Sequence, residues 1–234
     1  MIWNVPEMWK GGECWIIGGG PSIPYEFGVP EDVIEAVQNG ELPIDAYSPY
    51  LSPIHDKHVI AVNAAFLLGT WPDMMFFVDA KFYWANQAAL RVWPKPKITT
   101  NPTLKKFTHL EKIKLVTKDA GKPSGINTKK NVVSWNRNSG AAAINLAYHL
   151  GCERVYLLGF DMDIGGHQNQ HWHRHYLQPG KKKDLTKLPF KKHIPMFRHV
   201  AADAKILGLK IINVSQMSTL KDFEKKTVKE ILGE

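Results

Sequence analysis

Cysteine is almost missing from this chain: Cys14 and Cys152 are the only two, and each lies in or beside an apolar segment. One pair so far apart is not the framework of a small disulfide-stapled secreted domain, and it points to reduced thiols. Also missing is any apolar run near the roughly 20 residues that a membrane span needs. The opening "MIWNVPEMWKGGE" lacks the charged-then-apolar order of a secretion signal. These absences set the expectation of a soluble, cytoplasmic protein with no membrane partner. No internal repeat or low-complexity linker interrupts the 234 residues. That length suits one α/β domain spanning 1–234 with a core of its own.

Acidic residues are outnumbered, 22 Asp and Glu against 30 Lys and Arg, for a formal charge of +8. An excess of cations favours anionic partners: a nucleotide, a nucleic acid or an anionic acceptor. Charge does not choose among them, because the basic runs "KKFTHLEKIK", "GKKKDLTKLPFKK" and "DFEKKTVKE" are scattered along the chain and each also suits a solvated face.

Strand-length apolar runs recur between turn residues: "CWIIG" (14–18), "HVIAVN" (58–63), "MMFFVD" (74–79), "NVVSW" (131–135), "RVYLLGFD" (154–161) and "LKIINVS" (209–215). Several are apolar on both faces, as strands are when helices cover both sides of a parallel sheet. Helical patterns alternate with them at 30–40, 80–93, 139–151, 196–208 and 218–232, the last with Ser218 as its cap. The alternation predicts a Rossmann-like, doubly wound, mostly parallel sheet. Ligands of such sheets bind beyond the carboxyl ends of the strands, where this sequence puts a glycine loop, Asn63, Asp79 and Asp161. The stretches 41–57 and 162–195 read as irregular, the second as a histidine-rich lid.

Glycines 18, 19 and 20, followed by Pro21 and Ser22, can bring backbone amides close to phosphate oxygens. The spacing is neither Gly-x-Gly-x-x-Gly nor a P-loop, whose lysine is absent. A plain strand-to-loop turn also uses glycine, so the loop alone leaves both readings open. Taken in order, "IIGGGPSI", "VIAVNAAFLL" and "NSGAAAINLAYHLGCERVYLLGFDMD" resemble the family-42 sialyltransferases and the related domain named after archaeal 6-hydroxymethylpterin diphosphokinase. With "HWHRHY" and "IINVS" the chain looks most like a phage-encoded branch of that group, which would place it in the host cytoplasm.

The resemblance implies that Gly18, Gly19, Gly20, Pro21 and Ser22 lie against the phosphate and ribose of a nucleotide. It further implies that Asn63 bonds the nucleotide sugar, that Ser139 and Gly140 face the donor at a helix amino end, and that Asp161 lies at the cleft rim. His193, in "KKHIPMF", matches the family's general base. Met162 and Asp163 stand where the sialyltransferases carry two tyrosines, a departure that bears on the sugar, and Arg137 is one place from the family's arginine. Relatives in the group are often multimeric, so a homo-oligomer is among the expected partners.

Six of the ten histidines fall between 167 and 199: His167, His171, His173, His175, His193 and His199. Imidazole moves protons near neutral pH and binds metals. His171 and His173 alternate on an extended segment and are candidate bases or phosphate clamps; any one histidine also suits a polar loop. No zinc spacing is present. Asp161 and Asp163 could hold Mg or Mn beside a nucleotide diphosphate. Asp79 could contact substrate or cap the helix that follows it. Lys181, Lys182, Lys183 and Arg174 could meet acceptor phosphates, and Trp3, Trp9 and Trp15 read as core or interface.

The expectation from the whole is an enzyme that transfers a glycosyl group from a nucleotide-activated donor by direct displacement. Two alternatives stay open: Mg-dependent diphosphate transfer on the same fold, and a non-catalytic protein that binds nucleotide or nucleic acid.

Overall fold

A computed structural model describes residues 2–107, 113–115, 117–119, 121–164, 170–173 and 188–233. Among the described residues eight strands form one sheet in the order β10-β9-β8-β1-β2-β3-β4-β5, and every pairing is parallel. The strands are β1 (Glu13–Ile17), β2 (Val59–Val62), β3 (Met74–Phe77), β4 (Lys97–Thr99), β5 (Ile113–Leu115), β8 (Arg154–Leu158), β9 (Lys210–Asn213) and β10 (Glu224–Lys225). β6 (Thr117–Asp119) and β7 (Val132–Ser134) pair separately. The "NVVSW" run is therefore a strand, but not of the main sheet.

Alternation along each central strand builds two cores. Cys14, Ile16, Ile60, Phe76 and Leu157 point to the face covered by α4 (Ser139–His149) and α5 (Phe190–Leu207). Trp15, Ile17, Ala61, Phe77 and Leu158 point to the other face, which meets α2 (Glu31–Asn39), a 3-10 stretch (Ile44–Ile54) and α3 (Ala80–Val92). Strands buried on both sides need apolar residues at every position, which is why these runs do not alternate with polar ones. Trp9 and Trp15 are buried in these cores and Trp3 packs against one of them. Cys14 and Cys152 are both buried free thiols. Among the described residues no helix is long and apolar enough to cross a membrane.

Three expected elements differ. The stretch 41–57 is mostly 3-10 helix rather than irregular. Helix α5 begins at Phe190, six residues ahead of the expected start, and carries Pro195 inside it, so the end of the expected lid is helical. The chain also forms the short α1 (Ile23–Glu26) and α6 (Val228–Leu232), and α6 replaces the long helix expected over 218–232. Its cap is Thr227, in a reciprocal capping box with Glu230. Ser218 instead donates its hydroxyl to the Phe160 carbonyl at 2.7 Å.

Histidines held below their ordinary pKa make the fold sensitive to acid. His149 on α4 is buried and donates Nε2–H to the Val132 carbonyl at 2.6 Å. Burial pushes its pKa below the ordinary value, and the Val132 bond opposes that only in part. His55, stacked on Trp71 at 4.2 Å, is lowered for the same main reason. The unfolded chain takes up these protons near pH ~6.5 while the native state resists them. Stability is thus complete above that pH and falls as pH drops toward the depressed native values. Denaturant midpoints measured from about pH 7.5 down to about 5.5 are expected to decline, and His149→Gln, which keeps a donor for Val132, should flatten the decline. An identical slope in the variant would show that His149 is not a source of it.

Candidate functional site

The sheet order reverses at β1. The chain runs from β1 through β2, β3 and β4 to one edge, then returns to lay β8 on the other side of β1. Loops leaving β1 and β8 must diverge there, which opens a crevice at their carboxyl ends. A cleft of about 260 Å³ occupies it.

Gly18, Gly19 and Gly20, which follow β1, line one wall. Their course is fixed by the β8 exit: the amide of Gly18 donates to the Leu158 carbonyl, and that of Gly20 to the Gly159 carbonyl, both at 2.8 Å. Asn63 and Asp79 enter from the ends of β2 and β3. Asp79 occupies the N-cap position of α3 but its side chain makes no capping hydrogen bond, and it is exposed in the cleft.

The amino end of α4 forms the floor. Asn138 caps it, its Oδ1 accepting the Ala141 amide at 3.0 Å. The amides ahead of Ala141, on Ser139 and Gly140, are then the ones available to an anion at this helix end.

Asp161, Met162 and Asp163 form the third wall. Asp161 is 1% exposed, and its Oδ2 accepts the Ser22 amide at 2.9 Å. It therefore locks the glycine loop to the β8 exit. The late "IINVS" segment braces the same turn: Ser215 Oγ accepts the amides of Gly159 and Phe160 at 2.8 and 3.1 Å, and the Thr219 amide donates to the Asp161 carbonyl.

Histidines close the cleft. His171 Nδ1 lies 2.9 Å from the Gly19 carbonyl oxygen. The His173 ring is parallel to that of His171, 5.2 Å away with 1° between the planes. A Cβ on Gly19 would come within 2.9 Å of His171 Nδ1, so the glycine is what lets the imidazole sit on the loop. His193 stands in the first turn of α5, its Nδ1 3.2 Å from the Asn138 amide nitrogen. Burial lowers its pKa from the ordinary histidine value.

Among the described residues five non-glycine positions have left-handed backbone, and Asn63, Arg137 and Met162 of these line this cleft. Asparagine tolerates that conformation. Arginine and methionine do so at a cost of order 1–3 kcal/mol each, and such strain gathers at functional sites. Arg137 adds a cation to the cleft and lies 5.9 Å from the Trp135 ring.

Most residues singled out from the sequence thus meet in one place. Pro21 and Ser22 do not: both are buried beneath the loop, and the Ser22 amide is spent on Asp161. Asp161 and Asp163, the possible metal ligands, each spend one carboxylate oxygen on a backbone amide. Asp161 is committed to Ser22, Asp163 Oδ1 accepts the Ile164 amide at 2.7 Å, and no group of three His, Cys, Asp or Glu suited to a metal occurs among the described residues. His109, His167, Arg174, His175 and Lys181, Lys182 and Lys183 lie outside the described residues.

Sequence reasoning passed over Asn138, whose signal was its place just before the helix start. It also gave no role to Trp172, which is 1% exposed and donates its indole N–H to the Gly18 carbonyl at 3.0 Å.

No family model matches the chain, and no curated protein matches it. Two solved structures of the sialyltransferase CstII from Campylobacter jejuni do. The one in complex with the substrate analogue cytidine-5'-monophosphate has 14% identity, 92% coverage of this chain, 84% of its own and a TM-score of 0.47. The one with CMP-3FNeuAc has 13% identity, coverages of 92% and 85%, and a TM-score of 0.46.

Proposed function

We propose that this cleft binds a nucleotide-activated sugar and transfers its glycosyl group to an acceptor hydroxyl by direct displacement. The observation that carries the reading is convergence at the topological switch point. A glycine loop, the amino end of an eleven-residue helix, Asn63 and three histidines all line one crevice. The Gly19 amide of the loop and the Ser139 and Gly140 amides at the helix end suit a phosphate, whose charge grows as the bond to the sugar breaks. Arg137 supplies the nearby cation. A histidine takes the proton that the acceptor oxygen loses as it attacks the sugar carbon.

In this reading the departing charge falls to amides and cations of the chain itself. Diphosphate transfer on Asp161 and Asp163 has no comparable support. The test is thermal stabilisation by CMP, UDP, GDP, ADP, ATP and their common sugar conjugates, each with Mg and with EDTA. A nucleotide sugar or its product nucleotide should raise the melting temperature, and the rise should survive EDTA. Stabilisation by ATP only with Mg would favour diphosphate transfer. No shift with any of them, together with salt-sensitive binding to nucleic acid, would overturn the reading.

A further inference from the structure

Trp135 is 40% exposed on the turn from β7 to α4, two residues ahead of Arg137, which lines the cleft. A lone exposed apolar side chain is ordinary, but this one is held out by a turn with left-handed backbone at both Asn136 and Arg137. Asn136, between Trp135 and Arg137, is fully buried. Its Oδ1 accepts the Gly125 amide at 2.7 Å, and its Nδ2 donates to the carbonyls of Gly125 and Ser134 at 3.0 and 3.2 Å. Its own amide donates to the Pro123 carbonyl at 2.6 Å. With the middle residue bolted inward, the residues on either side are both exposed. Backbone strain of this kind, fixed by its surroundings, gathers at functional sites. Two cations flank the indole: Lys118 Nζ, from β6, lies 4.8 Å from the ring centroid and Arg137 Cζ 5.9 Å. Among the described residues neither cation has an acidic partner. The exposure of Trp135 is what remains with both cations in place, so indole surface stays open to a ligand.

We propose that Trp135, Lys118 and Arg137 form the acceptor subsite, and that the acceptor is a saccharide carrying a carboxylate or phosphate group. The assignment rests on the glycosyl-transfer reading. The electron-rich face of an indole takes the polarised C–H bonds of a sugar ring. The ammonium and guanidinium take the anion, the guanidinium in the planar geometry that suits a carboxylate or phosphate. Arg137 joins the subsite to the cleft, because the side chain that leans toward the indole also lines the crevice. An acceptor seated on Trp135 therefore lies beside the place where the donor binds. With several N–H donors, Arg137 can serve the acceptor's anion as well as the phosphate in the cleft. One aromatic ring with two cations matches a single anionic sugar; a nucleic-acid strand needs a longer track of cations and stacking rings.

NMR of the indole N–H signals on the full chain tests the subsite without turnover, with Trp135→Phe used to identify the Trp135 signal. The probes are digalacturonic acid and lactose phosphate, with galabiose and lactose as their neutral counterparts and oligothymidylate as the nucleic-acid control. Each is titrated with and without the nucleotide that the thermal screen selects. The anionic saccharides should move the Trp135 signal and bind about tenfold or more tighter than the neutral ones. Trp135→Ala and Lys118→Gln should each weaken them by about threefold to tenfold. Thermal stabilisation by nucleotide should be the same in Trp135→Ala as in the wild type. No movement of the signal with any saccharide overturns the proposal, and so does equal binding of the neutral sugars. Tighter binding of oligothymidylate at the same signal would give the surface to nucleic acid, and loss of the nucleotide response in Trp135→Ala would give the indole to the donor; either overturns it. Anionic saccharides bound at Trp135 with no nucleotide response at all would leave the saccharide site standing and sink only the glycosyl-transfer reading.

Discussion

Gly20→Ala is expected to abolish nucleotide-dependent stabilisation and to cost the fold about 1–3 kcal/mol, the usual range for overpacking a closed site. The added Cβ would collide with the Asp161 carboxylate and lie 2.8 Å from the Gly159 carbonyl oxygen. Neither can retreat easily. Asp161 is 1% exposed and bonded to the Ser22 amide, while Gly159 is held by Ser215 Oγ and itself accepts the Gly20 amide. Displacing the carboxylate releases the loop from the β8 exit, and the Gly19 amide that would face a phosphate moves with it. Nucleotide affinity should fall by about 100-fold or more, near 3 kcal/mol. The comparison is Gly28→Ala, where the backbone is left-handed but no atom lies within 4 Å of the new Cβ. That variant should lose about 1 kcal/mol of stability and keep its nucleotide response. Isothermal titration of both, with chemical denaturation alongside, reads the two effects separately. If Gly20→Ala binds nucleotide as the wild type does, the loop is only a turn.

The doubly wound sheet was legible because its central strands are long enough to show unbroken apolar runs. The edge was not. β4 and β5 are three residues each and β10 is two, with a lysine in every one, and runs that short carry no periodic signal. Helix α5 was read late because Pro195 lies inside it, and proline normally marks a helix start rather than its sixth residue. That shift matters for the site, since it moves His193 from a loop onto a rigid first turn facing Asn138. The 218–232 segment has enough polar and apolar residues to imitate an amphipathic helix, yet Ser218 and Thr219 are drawn to the Asp161 turn and Lys225 donates back to the Ser218 carbonyl. Tertiary partners outbid local pattern there.

In the site itself, the residue types were readable and their duties were not. Asp161 reads as a rim acid and, once folded, is a buried brace between two loops. His193, His171 and His173 all read as candidate bases, and the sequence says nothing of what His171 and His193 bond. Those partners, Gly19 and Asn138, are 152 and 55 residues away in sequence from the histidines they orient. A single chain read locally has no access to such pairs.

Trp172→Ala is expected to be the most damaging change outside the glycine loop. The indole is 1% exposed, belongs to the core that contains Trp15 and Tyr47, and lies edge-on to Tyr47 at 6.0 Å. Truncating a buried tryptophan costs about 3–5 kcal/mol, which for a chain of this size lowers the melting temperature by roughly 10 °C. Function should suffer beyond that loss. Trp172 donates its indole N–H to the Gly18 carbonyl and its backbone amide to the Gly19 carbonyl, and its own carbonyl accepts Gln38 at 2.6 Å. The histidines on either side of it are therefore positioned by this one anchor. Trp172→Phe separates the two contributions: the ring largely remains, but the bond to Gly18 is lost, a net cost of about 1 kcal/mol. Melting temperature and nucleotide affinity should fall in the order wild type, Phe, Ala. If the Ala variant melts and binds as the wild type does, the His-Trp-His segment is not seated on the glycine loop in solution, and the histidine wall of the cleft falls with it.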